Sequence, residues 1–389
     1  MASDHGVIKI RDYDDNIDKI RIQNLERICK VGQMAPFLLM DTMGDPICRI
    51  RNSPLFKMLV AEFNNELVGV IQGTIKIANC CTNLKDIPSV AGYILGLRVS
   101  PLHRRIGIGS NLIRNIEECF VANGVDFAYM VTEKDNEASV KLFVDKLNFV
   151  KFSTPSILVD PVSQYHSKSI SPNIRIMKLT TDKAESLYRK FMATTELFPY
   201  DIDNILRNNL SLGTWIAYHE SGFRSEFRSD SPPPNSWAML SVWNSCAVFK
   251  LRVGKAPITW KIYGKTSRFI DRVFPCMKIR SLSDIFNRFG FYFMYGLYCE
   301  GPDSGSLVHS LCQFVHNLAR KCKDCKIIVT EVGGGDIEKL KVHIPHWKTL
   351  SCSEDLWCVK ALKIEEQSTI SELIRCTHPR TIFVEPREV

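Results

Sequence analysis

No apolar run in the 389 residues approaches the length that crosses a bilayer, and the opening MASDHGVIKIRDYDD is too polar for a secretory leader. Both absences lead us to expect a soluble, intracellular protein of the nucleus or cytoplasm. A strong charge of one sign is missing too: 50 Lys and Arg face 42 Asp and Glu, a formal net charge of +8 spread along the chain. That surplus does not argue for nucleic acid as a direct ligand, though it suits an anionic small molecule or an acidic partner. Two phosphate-binding signatures are also missing. The lack of G-x-G-x-x-G with a following acid excludes a dinucleotide fold, and the lack of a Gly-Lys-Ser/Thr ending excludes a Walker loop. The 14 cysteines have no pairing pattern. Cys322 and Cys325 in RKCKDCKII lack a second pair at zinc-finger spacing, and His343, His346 and Cys352 in HIPHWKTLSC are poorly spaced as a complement. Cys119, Cys299 and Cys312 sit singly in apolar segments, where a thiol packs as a small hydrophobe. No metal is expected.

What is present is a globular balance of 45% hydrophobic and 24% charged residues, in a chain long enough for two domains. The start reads as a strand, GVIKIRDY, then a helix on which Ile17, Ile20, Leu25 and Ile28 recur. KMLVAEFNNELVGVIQGTIKI reads as a hairpin turning at Asn64 and Asn65. The strand GYILGLRVS follows, then a glycine turn, a helix from about Ile108 to Ala122, the strand VDFAYMVTE, and a short helix stopped at Asn148. The fold class is α/β, a mixed sheet with helices on both faces.

After about residue 160 the periodicity lapses into a polar linker, 161–173, and then the same order of elements starts again. IRIMKLTTDKAESLYRKF repeats the opening, GTWIAYH and WAMLSVWN the hairpin, FYFMYGLYCEG the strand before the turn, and KIIVTEV the strand after the second helix. Val131-Thr132-Glu133 is matched by Val329-Thr330-Glu331. This division predicts a first domain over 6–160 and a second over 174–362, with a disordered insertion near 219–236 and a C-terminal tail from 363 to 389.

The turn "LRVSPLHRRIGIGS" carries the chemistry. A strand that delivers the chain to a helix start leaves several N–H groups unpaired, and the helix dipole adds positive potential there. Gly107 and Gly109 let the main chain approach a bulky anion, and Arg104 and Arg105 add guanidinium donors suited to phosphate oxygens. An ordinary strand–helix turn is the other reading of these residues.

With Val99, Pro101, Arg104, Gly107 and Gly109 in place, and Asn136, Leu142, Phe143, Lys146 and Phe149 downstream, the sequence resembles the GNAT superfamily of acetyl-CoA-dependent N-acetyltransferases. Phrases such as GDPICRIRNSP, TPSILV and TIFVEPREV resemble, more narrowly, the plant Hookless-type probable N-acetyltransferases over nearly the whole chain. The resemblance implies a GNAT acyl-CoA N-acyltransferase fold followed by a second, degenerate GNAT-like domain. It further implies acetyl-CoA as co-substrate, a protein or small-molecule amine as acceptor, direct attack of the amine on the thioester, and a role in ethylene- and auxin-linked differential growth. Carried over residue by residue, the cofactor-binding set is Leu97, Arg98, Val99, Arg104, Arg105, Ile106, Gly107, Ile108, Gly109, Ser110, Asn136 and Phe143.

The family pattern is not complete. The place that holds a strand glutamate in some members has Tyr93, and Phe143 stands where many have a tyrosine that protonates the thiolate. Glu133 is the remaining candidate base, with a solvated strand-end carboxylate as its plain alternative. His103 reads as a cofactor contact or surface residue, while Asp41 and Asp45 suit an acceptor amine or simple turn roles. In the second copy the turn CEGPDSGS lacks arginine, and Asp303 would repel phosphate. That half is expected to serve packing, homo-oligomer contact or substrate docking. The competing function is an acyl-CoA-binding or non-catalytic regulator acting through protein partners.

Overall fold

The computed structural model describes residues 7–29, 38–79, 88–163, 166–220, 235–254, 285–334, 340–352, 355–363, 366, 371 and 381–389. Most of the insertion expected at 219–236, and much of the expected tail, lie outside the described residues. In chain order the first elements are β1 (Ile8–Asp12), α1 (Asp15–Ile28), β2 (Leu38–Asp41), β3 (Leu55–Phe63), β4 (Glu66–Asn79) and β5 (Ser89–Val99). α2 (Ile108–Ala122), β6 (Phe127–Glu133), α3 (Glu137–Val140, continued by a π-helical turn to Lys146) and β7 (Val150–Ser153) follow. Then come β8 (Ser156–Pro161), β9 (Ile174–Lys178), α4 (Thr181–Phe191), β10 (Phe198–Pro199), α5 (Ile202–Arg207), β11 (Ser211–His219) and β12 (Trp237–Asn244). The last are β13 (Lys250–Val253), β14 (Gly290–Glu300), α6 (Ser304–Ala319), β15 (Cys325–Val332) and β16 (Asp355–Ala361).

One sheet runs β1-β3-β4-β5-β6-β16-β7, with β10 paired to β4, and a second runs β8-β15-β14-β12-β11-β9. Strand for strand, the second follows the order of the first. The agreement reaches single residues. Between β4 and β5 the register slips at Val70/Gln72 beside Gly96, whose φ is +64°; between β12 and β14 it slips at Met239/Ser241 beside Gly296, whose φ is +60°. Each slip sets two residues against one, as a β-bulge does.

Sheet membership departs from the expected split at 6–160 and 174–362 by one strand in each direction. β8 lies along β15 in the second sheet, from Ile327↔Pro161 to Val332↔Ser156. β16 fills the equivalent slot in the first, paired with β6 from Asp355↔Glu133 to Ala361↔Phe127. Pro155 has no N–H to extend the β7 ladder, and it packs on Gly333, where a Cβ would come within 2.4 Å of it. The chain therefore crosses to the other sheet at this point.

The hairpin turn sits at Asn64 and Asn65, with φ of +50° and +65°, and Asn148 ends its helix at +61°. The face of α1 differs from the expected one. Ile22 and Leu25 are buried with Asp18, leaving Ile17, Ile20 and Ile28 exposed. Asp18 decides this, because Arg11 on β1 grips it with both terminal nitrogens at 2.6 and 2.8 Å, which a buried carboxylate requires. α2 covers the outer face of the first sheet through Leu112, Ile116 and Phe120, and α6 covers the second through Leu307, Leu311 and Val315. Phe120 comes down on Gly92, where a Cβ would lie 2.5 Å from its ring.

A third core lies between the halves, and residues 381–389 are built into it. Phe383 is 1% exposed and meets the rings of Tyr188, Phe198 and Tyr295. Arg387 holds Asp201 with two nitrogens at 2.7 and 2.9 Å and also pairs with Glu385. Lys76 of β4, 4% exposed, pairs with Glu388 at 2.6 Å and Glu385 at 3.1 Å, and the Tyr129 hydroxyl donates to Glu388. Burial opposes the Lys76 ammonium, but the two glutamates more than offset it and hold its pKa above the ordinary value. Removing one member strands the others in low dielectric. Lys76→Met is expected to lower the unfolding free energy by about 3–5 kcal/mol, read by urea denaturation. Phe383→Ala should lose a comparable amount, about 3–5 kcal/mol, through the cavity it leaves.

Candidate active site

β5 and β6 run parallel and paired only through Ala91–Ile94 and Phe127–Met130. Beyond Ile94 they part, because the bulge at Gly96 turns β5 away. Gly96 has left-handed φ, and a Cβ there would lie 3.0 Å from the Gln72 amide oxygen, a side chain fixed by its own hydrogen bond to the Pro46 carbonyl at 2.7 Å. The parting leaves a cavity of about 380 Å³. Leu95 to Arg98 form one wall, Val131 to Glu133 the other, and Asn136, Ser139 and Phe143 close one end. The β6-facing main chain of Leu95–Val99 is thereby left without a strand partner in that ladder.

The turn follows directly. The Ser100 N–H donates to Val68 O at 2.8 Å, Pro101–His103 makes a 3-10 turn, and Arg105 and Gly107 take φ of +66° and +95°. Gly107 is the N-cap of α2, and a Cβ built on it meets nothing within 4 Å, so the space over the helix start is open. Asn111 donates to Gly107 O at 3.0 Å, and the N–H groups of Ile108, Gly109 and Ser110 ahead of it have no acceptor within the helix. They and the helix dipole face outward with the exposed Arg104 and Arg105. Such a helix start favours an anion.

The equivalent places in the second half are filled. The opening beside Gly296 is a cavity of about 20 Å³, bounded by Ile382, Phe383 and Val384. At the start of α6, a Cβ on Gly301 would fall 2.2 Å from Asn235 O, and one on Gly305 2.5 Å from the His343 ring. Asp303 stands at the N-cap position of that helix, its side chain making no capping hydrogen bond. The second half thus lacks both the open cleft and the uncrowded glycine turn of the first.

The deep end of the open cleft gathers acids. Glu331 of β15 and Asp355 and Trp357 of β16 line it, together with Glu388 and, at the exposed rim, Glu133. Burial, then Asp355, pushes the Glu331 carboxyl from 4.5 up to about 8, although Trp357 Nε1–H donates to it at 2.8 Å. Burial, then Glu133, pushes Asp355 from 3.8 up to about 7. Burial also pushes the Tyr93 phenol up, so it keeps its proton; its ring stacks on Tyr129 at 4.9 Å. On the other side burial pushes the Arg98 guanidinium down, with Glu26 opposing and Arg49 adding to the fall, and its Nη1 donates to Leu97 O at 2.9 Å.

Of the residues singled out from sequence, Leu97, Arg98, Glu133, Asn136 and Phe143 line the cleft. Arg104 to Ser110 form the turn, where the Ile108 and Ser110 side chains are buried and only their amides face the space. Asn136 caps α3, accepting from the Ser139 N–H at 3.3 Å and donating to Thr132 Oγ1 at 3.2 Å. Phe143 packs edge-on against Phe149. His103 lies 3.4 Å from Ser100 Oγ and against Phe63. Asp41 and Asp45 take turn roles, accepting from the Met43 and Ile47 N–H groups. Glu331, Asp355 and Trp357 were not foreseen. The repeated Val-Thr-Glu was visible, but which cleft its second copy faces depends on the strand exchange. Among the described residues no group of His, Cys, Asp or Glu is placed to hold a metal.

This architecture, an amide-lined helix start beside two splayed parallel strands, has known relatives. The acetyltransferase (GNAT) family profile matches residues 25–149. "Probable N-acetyltransferase HLS1" of Arabidopsis thaliana is 42% identical, over 97% of this chain and 99% of its own. The chain belongs to the GNAT family of N-acetyltransferases. "Acetyl transferase GW6a" of Oryza sativa subsp. japonica is 32% identical, over 98% of this GNAT chain and 97% of its own. In fold alone it is similar to Saccharomyces cerevisiae N-myristoyltransferase with bound myristoyl-CoA, with a TM-score of 0.53 at 11% identity, covering 92% of this chain and 81% of that one. The glucosamine N-acetyltransferase region of a fungal multi-domain GH3 β-N-acetylglucosaminidase gives a TM-score of 0.55 at 12% identity, over 92% of this chain and 38% of that one. Family and fold together give an N-acetyltransferase that draws on an acyl-CoA co-substrate. No helix among the described residues is long and apolar enough to cross a membrane.

The two raised carboxyls have a consequence for stability. The folded chain binds protons at Glu331 and Asp355 that the unfolded chain has already released, so folding weakens as pH rises from about 4 to about 8. Glu331→Gln and Asp355→Asn are each expected to flatten that decline in denaturation midpoints measured across the range.

Proposed function

We propose that the protein transfers an acetyl group from acetyl-CoA to a primary amine, of a protein or a small molecule, by direct attack of the neutral amine on the thioester. The open space over Gly107, set against the filled turn of the second half, is the observation that carries this reading. Arg104, Arg105 and the amides from Ile106 to Ser110 hold the diphosphate. Main-chain groups of Leu97 and Val99, which β6 does not pair, hold the pantetheine arm as an added strand. An N–H at the bulge by Leu97 polarises the thioester oxygen, donating to the oxyanion as it forms. The acids at the deep end of the cleft suit an ammonium arriving from the far side.

A second reading, an acyl-CoA-binding regulator without turnover, is favoured by one observation. Phe143 fills its place by packing against Phe149 and offers no proton to a departing thiolate. The part in ethylene- and auxin-linked differential growth, and a nuclear place of action, are proposals resting on resemblance to the Hookless-type proteins. Calorimetric titration with acetyl-CoA tests the first reading. Wild type is expected to bind, and Arg104→Ala/Gly107→Glu to lose about 100-fold or more in affinity, having lost a guanidinium contact and gained a carboxylate over the helix start. Wild type that shows no binding removes the reading. Thiol release in the presence of amines separates the enzyme from the regulator.

A further inference from the structure

We infer that Glu331, supplied by the half that has lost its own cleft, is the general base that deprotonates the acceptor amine. The inference rests on the cleft between β5 and β6 being the transfer site.

Three placements carry it. Glu331 is the penultimate residue of β15 in the second sheet, in the Val-Thr-Glu that matches the one ending in Glu133 in the first, yet it lines the first half's cleft and meets Trp357 of the first sheet. Trp357 Nε1–H fixes one carboxyl oxygen at 2.8 Å, and the indole is itself held by stacking on Tyr129 at 5.9 Å, so the carboxyl is oriented before any substrate arrives. Glu331 is deep in the protein but keeps part of its surface open to the cavity, whereas Glu133 stands exposed at the rim, where water already serves as proton acceptor. Asp355 and Trp357 on β16, Glu388 of the C-terminal segment and Tyr93 on β5 act on Glu331, while Glu133 on β6 and Arg49 line the same cavity. Most are acidic. Burial first, and then Asp355, keeps the Glu331 proton affinity high, which suits a base that works near neutral pH.

The step balances without any added reactant. An ammonium gives one proton to the Glu331 carboxylate and becomes the neutral amine. Its lone pair forms the C–N bond at the thioester carbon, the C–S bond breaks, and the second nitrogen proton leaves with the thiolate as thiol. Glu331 then returns its proton to water through the cleft. Asp355 is a positioning residue in this scheme: it acts by raising the basicity of Glu331.

The test uses the full chain, acetyl-CoA, and n-butylamine and lysine-containing peptides as probes, with thiol release as the rate. Glu331→Gln keeps the shape and the Trp357 hydrogen bond. It is expected to lower kcat/KM by about 10²- to 10⁴-fold and to abolish the acidic limb of the pH–rate profile, with acetyl-CoA affinity unchanged. Glu331→Ala should recover part of its rate with added formate, and Asp355→Asn should move the acidic limb to lower pH. Glu331→Gln with wild-type rate and profile overturns the inference. So does a wild type that binds acetyl-CoA but acetylates none of the probes, which would leave the cofactor reading standing. Absence of acetyl-CoA binding would instead bring down the underlying reading.

Discussion

Two adjacent parallel strands that stop hydrogen bonding after Ile94 are the constraint from which the rest of this structure follows. A sheet gains nothing by parting, since it leaves main-chain groups exposed that a ladder would satisfy. The bulge at Gly96 imposes the parting, its left-handed φ favours glycine, and Gln72, anchored on Pro46, crowds a Cβ there at 3.0 Å. The opening that results is lined by backbone on one wall and by α3 at its end. The helix that follows starts on a left-handed glycine, so its leading amides point toward the same space. The cleft and the open helix start are thus two ends of one interruption in hydrogen bonding.

The same interruption occurs in the second half, with the same bulge, and there residues 382–384 fill it. A duplicated cleft has been turned into a socket for apolar side chains. The residues that fill it continue into the ion cluster around Lys76 and reach the floor of the open cleft through Glu388. The second half therefore shapes the acidic end of the open cleft in the first, and its retention has a physical reason beyond packing.

Much of this could be read from the chain. The hairpin asparagines, the span of α2 and the stop at Asn148 are set by local backbone preferences, which is why their sequence readings match the fold. The glycine turn was readable for the same reason: only glycine takes the φ that Gly107 has. The face of α1 was not, because isoleucines at helical spacing outnumber Asp18, and only the Arg11 pair shows that the polar residue is the buried one. The deep acids were hidden too. Their proximity comes from an exchange of strands across more than two hundred positions, and periodicity carries no information on that scale.

That exchange also bears on synthesis. While the chain is being made, the edge of β6 has no partner until residues 355–361 emerge, so the first sheet waits on almost the whole sequence with an open, apolar strand border. Late closure of this kind gives slow folding and a window for wrong pairing between neighbouring nascent chains, so folding assistance on the ribosome matters more here than for a family member whose sheet closes on itself.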